Sequence, residues 1–212
     1  MEAAAAGARR VVGIDLRESA IKFAKAHIAE TYPELAERLE FHAVHLRHYP
    51  AEVFDCILSK DTFEHIIDLD LMLAEMKRRL KPGGLIYSGF GPLYPSPYGD
   101  HDRRRMLLRH WGLLGSSLAR VPWAHLVLAN TLVRLNNQHE KKQARSLRDL
   151  GLNMLGFSDY ERIIKNSGLR VLYFDTNRGT GPSPRIFSAL RKLPMLMDLC
   201  TYNAYCVLEN PR

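Results

Sequence analysis

Two stretches of this chain set ionisable side chains next to one another. Glu64 and His65 follow the short apolar run Phe54-Asp55-Cys56-Ile57-Leu58-Ser59. Tyr98, Asp100 and His101 stand in a Pro- and Gly-rich segment after a second apolar run, Leu85 to Phe90. A carboxylate beside an imidazole can take up and return a proton near neutral pH, which is what general acid–base catalysis requires. Asp100 is expected to raise the basicity of His101, and His65 is a second candidate for a direct catalytic role. The competing readings are a turn fastened by Asp100 and a Glu64–His65 pair that fixes a loop and a helix entry. A third acid, Asp15, closes the run Val11-Val12-Gly13-Ile14. A carboxylate at such a strand end can accept two hydroxyl donors at once, as a nucleotide ribose offers, or it can cap a helix starting near Ser19. The nine histidines and three cysteines show no HxxxH or Cys/His spacing, so no metal is expected. There is no P-loop and no G-x-S-x-G elbow.

The elements that must position these residues can be read from periodicity. Leu69, Met72, Leu73, Met76 and Leu80 recur on one helical face, with Asp68 and Asp70 at its start and basic residues at its end. Pro82-Gly83-Gly84 is expected to stop that helix. Strand, helix and strand at this length make a right-handed parallel βαβ unit, whose ligands bind beyond the carboxyl ends of the strands. Upstream, Val11–Asp15 reads as a strand. A helix with Ile21, Ala24 and Ile28 inward follows, then a short helical turn over Pro33 to Leu39 and a strand from Glu40 to Val44. Downstream, Asp102 to Leu155 is basic and helical and reads as an insert, with Trp111, Leu113, Leu114, Trp123, Leu126, Val127 and Leu128 forming its inner face. Ser158 to Glu161 has the pattern of a capping box opening a helix that ends at Gly168. A strand over Leu169 to Phe174, a loop over Gly179 to Pro184, a short helix from Arg185 to Leu193 and a last strand from Thr201 to Leu208 complete the chain. The fold class expected is α/β, a doubly wound and mostly parallel sheet in one domain over 1–212, with the helical insert at 102–155.

Ser59-Lys60-Asp61-Thr62-Phe63-Glu64-His65, then a helix, then Leu80-Lys81-Pro82-Gly83-Gly84 and an apolar strand, resembles the class I S-adenosylmethionine-dependent methyltransferases of the small-molecule type. The resemblance runs from about Val11 to Phe90 and returns in the last strands. It implies S-adenosyl-L-methionine as cofactor, with Asp15 on the ribose, Leu16 on the adenine ring, His45 near the position of the family's adenine-contacting acid, and Ser59 and Lys60 at the neighbouring strand end. It implies methyl transfer to a small-molecule acceptor, with His101, Asp100 and His65 nearest the chemistry. In that family a Gly-rich turn lies about 20 residues before the ribose acid, whereas Gly7 is the only glycine before Val11. The expectation is therefore an amino-terminally truncated domain lacking its first strand, with weak cofactor binding and two unpaired strand edges. The alternatives are a non-catalytic methyltransferase-like remnant or partner protein, and a basic nucleic-acid-binding module.

Composition bounds these readings. The chain has 212 residues, 46% of them hydrophobic and 25% charged, which is ordinary for a globular protein. Its net charge of +7 is read as basic residues spread over solvated faces. Arg103-Arg104-Arg105 and Lys141-Lys142 lack the aromatic interleaving of single-strand binders, so no nucleic acid is expected. The three cysteines form no CxxC pair and read as reduced thiols, with Cys56 in a core strand and a cytoplasmic setting expected. Trp111 to Leu135 is broken by Arg120, Pro122, His125 and Asn130, so no membrane span is expected. The acceptor and the oligomeric state are not encoded in any of these features.

Overall fold

The computed structural model describes all residues except Asp102, Arg104, Lys141, Lys142, 179–181 and Arg212; the side chains of 182–184 are likewise left aside. The expected loop at Gly179 to Pro184 thus lies largely outside the described residues. The elements run α1 (Glu2–Ala5), β1 (Val11–Asp15), α2 (Glu18–Thr31), β2 (Leu39–Ala43), β3 (Phe54–Lys60), α3 (Leu69–Arg78), β4 (Leu80–Phe90), α4 (Arg105–Arg120), α5 (Ala124–Glu140), α6 (Phe157–Asn166), β5 (Arg170–Thr176), α7 (Pro182–Leu190), α8 (Met197–Cys200) and β6 (Ala204–Glu209). Two compact units divide this list, Met1–Glu52 and Val53–Arg212. No described helix is long and apolar enough to cross a membrane.

In the first unit β1 and β2 form a two-stranded parallel sheet, Val11 opposite Leu39 and Asp15 opposite Ala43. Ile21 and Ile28, seven residues apart on one face of α2, are buried, and Ile28 joins Ala4, Leu35 and Leu39 in a small core. The short turn of helix at Pro33–Arg38 is 3-10. Ser19 does not cap α2: the helix begins one residue earlier, after Arg17. The Asp15 carboxylate accepts the Arg17 backbone N–H at 2.8 Å, and this side-chain turn starts the chain into the helix.

In the second unit the strand order is β3-β4-β6-β5. β3 pairs parallel with β4, and β6 runs antiparallel to both β4 and β5. Only the last strand is therefore reversed, and the chain forms two sheets, not one ladder. β4 begins earlier than expected. Leu80-Lys81-Pro82-Gly83-Gly84 is the irregular first part of an 11-residue strand, with Leu80 already opposite Phe54. Two glycines permit this: Gly83 has a φ of +78°, and a Cβ on Gly84 would stand 2.9 Å from the Lys81 carbonyl and 3.1 Å from that of Asp55. Cys56 is exposed, contrary to the expectation of a buried thiol, while Cys200 and Cys206 are buried. Burial pushes the Cys206 thiol up to about 12.

α3 buries Leu69, Leu73 and Met76, and Phe63, Phe90 and Tyr160 stack in sequence with ring centroids 5.2 and 4.7 Å apart. α6 starts at Phe157, not Ser158; Gly156 stands before it and donates its N–H to Asp159 at 3.2 Å. Ser158 instead donates both its backbone N–H and its hydroxyl to Asp198, at 2.8 and 2.7 Å.

The helical insert departs most from expectation. α4 is interrupted at Gly112, whose φ of 54° and ψ of −126° are non-helical. A Cβ on Gly115 would lie 1.9 Å from the Leu107 carbonyl. In an unbroken helix residues eight apart are separated by about 12 Å along the axis, so the chain doubles back at Gly112. This reversal resets the helical phase. Leu107, Leu132, Val133, Leu135, Leu147 and Leu152 form the inner face, whereas Leu113 and Val127, expected there, are 90% and 87% exposed.

Candidate active site

Glu64, His65 and His101 come together at the carboxyl ends of β3 and β4. One donor atom from each lies within 4.8 Å of the other two. Glu64 and His65 belong to a 3-10 turn, Phe63–His65, that leaves β3, and His101 closes the turn-rich segment that leaves β4. Among the described residues this is the one group of His, Cys, Asp and Glu gathered closely enough to approach a cation. Sequence spacing missed it because His101 is brought in from a distant loop.

Hydrogen bonds fix both imidazoles. His65 Nδ1 lies 2.7 Å from the Gly151 carbonyl, and His101 Nε2 lies 2.8 Å from the Pro92 carbonyl. A carbonyl only accepts, so each of these ring nitrogens carries the hydrogen when the ring is neutral. His65 Nε2 and His101 Nδ1 are then the nitrogens with an available lone pair. The two rings meet edge to face, centroids 4.8 Å apart. Glu64 is 3% exposed; its Oε1 accepts the Gly91 N–H at 3.1 Å, while Oε2 is buried with no hydrogen-bond partner. Burial raises the Glu64 pKa, opposed by the backbone N–H groups of Glu64 and Gly91 and by nearby His65.

His101 corrects an expectation. Asp100 does act to raise its basicity, but only weakly: burial, and then the adjacent His65, outweigh it and lower the pKa to about 4. Asp100 is fully buried beside the Arg103 turn and faces no open surface, whereas Tyr98 is exposed, so Tyr98, Asp100 and His101 do not converge on one spot. His101 also has a φ of +51°. The depressed value makes a pH prediction. Between about pH 6.5 and 4 the unfolded chain binds a proton on this histidine that the folded chain refuses, so stability falls on acidification through that window. Glu64 works in the opposite sense, since its raised pKa favours the folded state at low pH. The comparison is therefore with His101→Asn, a residue that tolerates the left-handed backbone. Urea titrations at the two ends of the window should show about 1–3 kcal/mol less acid loss in the variant, allowing for solvent screening.

One residue that sequence reasoning passed over anchors this site. Asn153 is buried; its amide donates to the carbonyls of Phe63 and Ile66 at 2.7 and 3.1 Å. Its Oδ1 accepts from the Tyr160 hydroxyl and the Leu155 N–H, both at 3.1 Å, and its own N–H donates to the Glu64 carbonyl at 3.0 Å. A single side chain thus clamps the Phe63–His65 turn to α6.

The expected cofactor residues fall in separate units. In the first, Asp15 ends β1 with its carboxylate held by Arg17, whose side chain lies at 3.1 Å and is 75% exposed. This contact holds Asp15 well below the usual carboxylate range. Leu16 beside it is exposed, and His45 accepts the Arg47 N–H on Nδ1 at 3.1 Å. A carboxylate and an exposed apolar side chain at one strand end could hold a ribose and an adenine face once the exposed Arg17 side chain is displaced. In the second unit Lys60 is exposed at the end of β3, and the Ser59 hydroxyl is buried without a partner.

Comparison with known proteins shows what this fold and its first part resemble. Residues 1–88 match the family described as "Methyltransferase domain". Ubiquinone biosynthesis O-methyltransferases are similar over part of the chain: that of Mesorhizobium japonicum is 32% identical over 87 residues, and the human mitochondrial protein 35% over 80. The geranyl diphosphate C-methyltransferase of Streptomyces coelicolor superposes over 95% of this chain and 65% of its own, with a TM-score of 0.55 at 13% identity. The chain has the fold of the class I S-adenosylmethionine-dependent methyltransferases. A putative sarcosine dimethylglycine methyltransferase from Galdieria sulphuraria shares the fold over 95% of this chain and 70% of its own, with a TM-score of 0.53 at 14% identity. The aligned part covers 36% of this chain in both curated relatives, and 30% and 21% of their own lengths.

Proposed function

We propose that this methyltransferase moves a methyl group from S-adenosylmethionine to a hydroxyl of a small-molecule acceptor, and that Glu64, His65 and His101 handle the acceptor's proton. The observation that carries this reading is the cluster itself. Two imidazoles, each held by a backbone carbonyl, and a buried acidic side chain stand at the strand ends where this fold binds ligands. The similarity to O-methyltransferases favours oxygen as the accepting atom. Bound S-adenosylmethionine supplies a methyl group already activated by its sulfonium.

A hydroxyl is a poor nucleophile until its proton leaves. His65 Nε2 accepts that proton as the new O–CH3 bond forms and the S–CH3 bond breaks, and S-adenosylhomocysteine departs. The Glu64 carboxyl lies beside the imidazolium that results, and His65 in turn favours its ionised form. His101, held neutral by burial, directs the acceptor with Nδ1 and takes up no charge itself. Asp100 supports the turn and makes no contact with the acceptor. Within the first unit Asp15 accepts the ribose hydroxyls and Leu16 covers the adenine, with His45 a further candidate there; Ser59 and Lys60 are the candidates at the end of β3 in the second unit.

The experiment pairs calorimetry with S-adenosylhomocysteine and a methyl-transfer assay on a panel of catechols and simple phenols. Asp15→Ala should weaken S-adenosylhomocysteine binding by about 1–3 kcal/mol, the cost of leaving buried hydroxyls unpaired. An unchanged affinity would confine Asp15 to the turn it makes with Arg17.

A further inference from the structure

We propose that the reversal at Gly112 is an interfacial anchor, and that the α4 tip docks on the surface of an anionic lipid bilayer. The tip is apolar and uncovered. Trp111 and Leu108 are exposed, and Leu113 and Leu114 on the other side of Gly112 are 90% and 66% exposed. None of these side chains belongs to the core under the insert, which is built from Leu107, Leu132 and their neighbours. Two leucines and a tryptophan projecting from a backbone reversal form no hollow for a small ligand. They have the composition of a segment that settles among lipid headgroups, where Trp is favoured and apolar side chains reach the acyl boundary.

Charge selects the occupant. Between Asp102 and Leu150 the sequence has ten Lys and Arg against three Asp and Glu, so this segment accounts for the chain's whole net charge of +7. The remainder is balanced. The basic excess is thus concentrated in the insert that carries the uncovered leucines, with Arg105, Arg109 and Arg120 on α4 itself. Arg105 and Arg109 flank the tip on α4 and are exposed. Nucleic acid would meet the charge but leave the leucines in water; a neutral protein surface would cover the leucines but not the charge. An anionic bilayer meets both, and the two contributions reinforce each other at one surface. The absence of a helix long enough to span among the described residues is consistent with a tip that lies on a membrane and does not cross it.

The test is sedimentation of the full chain with vesicles of phosphatidylglycerol and phosphatidylcholine, against vesicles of phosphatidylcholine alone. Binding is expected to the mixed vesicles, with loss at high salt and little binding to the neutral ones. Leu113→Ser with Leu114→Ser should lower the partition coefficient by about tenfold or more. The melting temperature should hold, because neither side chain is buried. Equal binding of this variant would show attraction by charge alone and overturn the anchor, as would failure of the wild type to bind the mixed vesicles. Two further outcomes also overturn it: dimerisation abolished by the double substitution without vesicle binding, and oligonucleotide binding without vesicle binding.

Discussion

Replacing His65 by Ala should lower methyl transfer to a catechol by about 10²- to 10⁴-fold, the usual contribution of a positioned general base. The Gly151 carbonyl fixes the tautomer of this ring, so His65 presents an acceptor nitrogen without a rotamer search. Its removal takes away both the proton acceptor and the group that shares the buried charge of Glu64. S-adenosylhomocysteine affinity should stay within about twofold, because the lost interaction is made to the acceptor and not the cofactor. His65 is exposed, so the substitution opens no cavity in the core.

The largest expected effect on stability comes from Asn153→Leu. The change keeps the branching and heavy-atom count of the side chain, with two bulkier methyl groups, and removes two donors and an acceptor from a buried position. It strands the carbonyls of Phe63 and Ile66, the Leu155 N–H and the hydroxyl of Tyr160. Tyr160 is fully buried, and desolvation already drives its pKa upward, so its hydroxyl has no solvent to turn to. Unmade buried hydrogen bonds cost about 1–3 kcal/mol apiece, and shared relaxation keeps the total near 3–5 kcal/mol. Urea denaturation would measure it. A loss below about 1 kcal/mol would mean that water reaches the Phe63–His65 turn and that Asn153 is no clamp.

How far the chain could be read from its residues depended on the range of the signal. α3 was legible because Leu69, Leu73 and Met76 repeat at helical spacing and all three are buried. Leu80–Gly84 was read as the stop of α3, and the folded chain makes it the irregular start of β4; the reversal of the last strand is set by long-range pairing and left no local mark in the residues. The insert was misread because Gly112 breaks the phase: periodicity counted across it assigns Leu113, Leu114 and Val127 to the core, and the folded chain exposes them. Cys56 was misplaced because an apolar strand does not disclose which of its faces is covered. The candidate site was half legible. Glu64 and His65 announce themselves as neighbours, but their approach to His101 depends on where a loop folds, and Asn153 is a polar residue in a loop until its partners are seen. Asp15 holds the turn to Arg17 that leads into α2, and its reading as a ribose acceptor rests on the Asp15→Ala titration.

The role of His65 as proton acceptor is tested most directly by varying the acidity of the acceptor. The ratio of wild-type to His65→Ala turnover would be measured over phenolic acceptors running from catechol to nitrocatechol. An acceptor already ionised at the assay pH has no proton to surrender, so the ratio should collapse toward one along the series. A ratio that stays large for the ionised acceptor would contradict the account, because His65 would then shape the site without taking the proton.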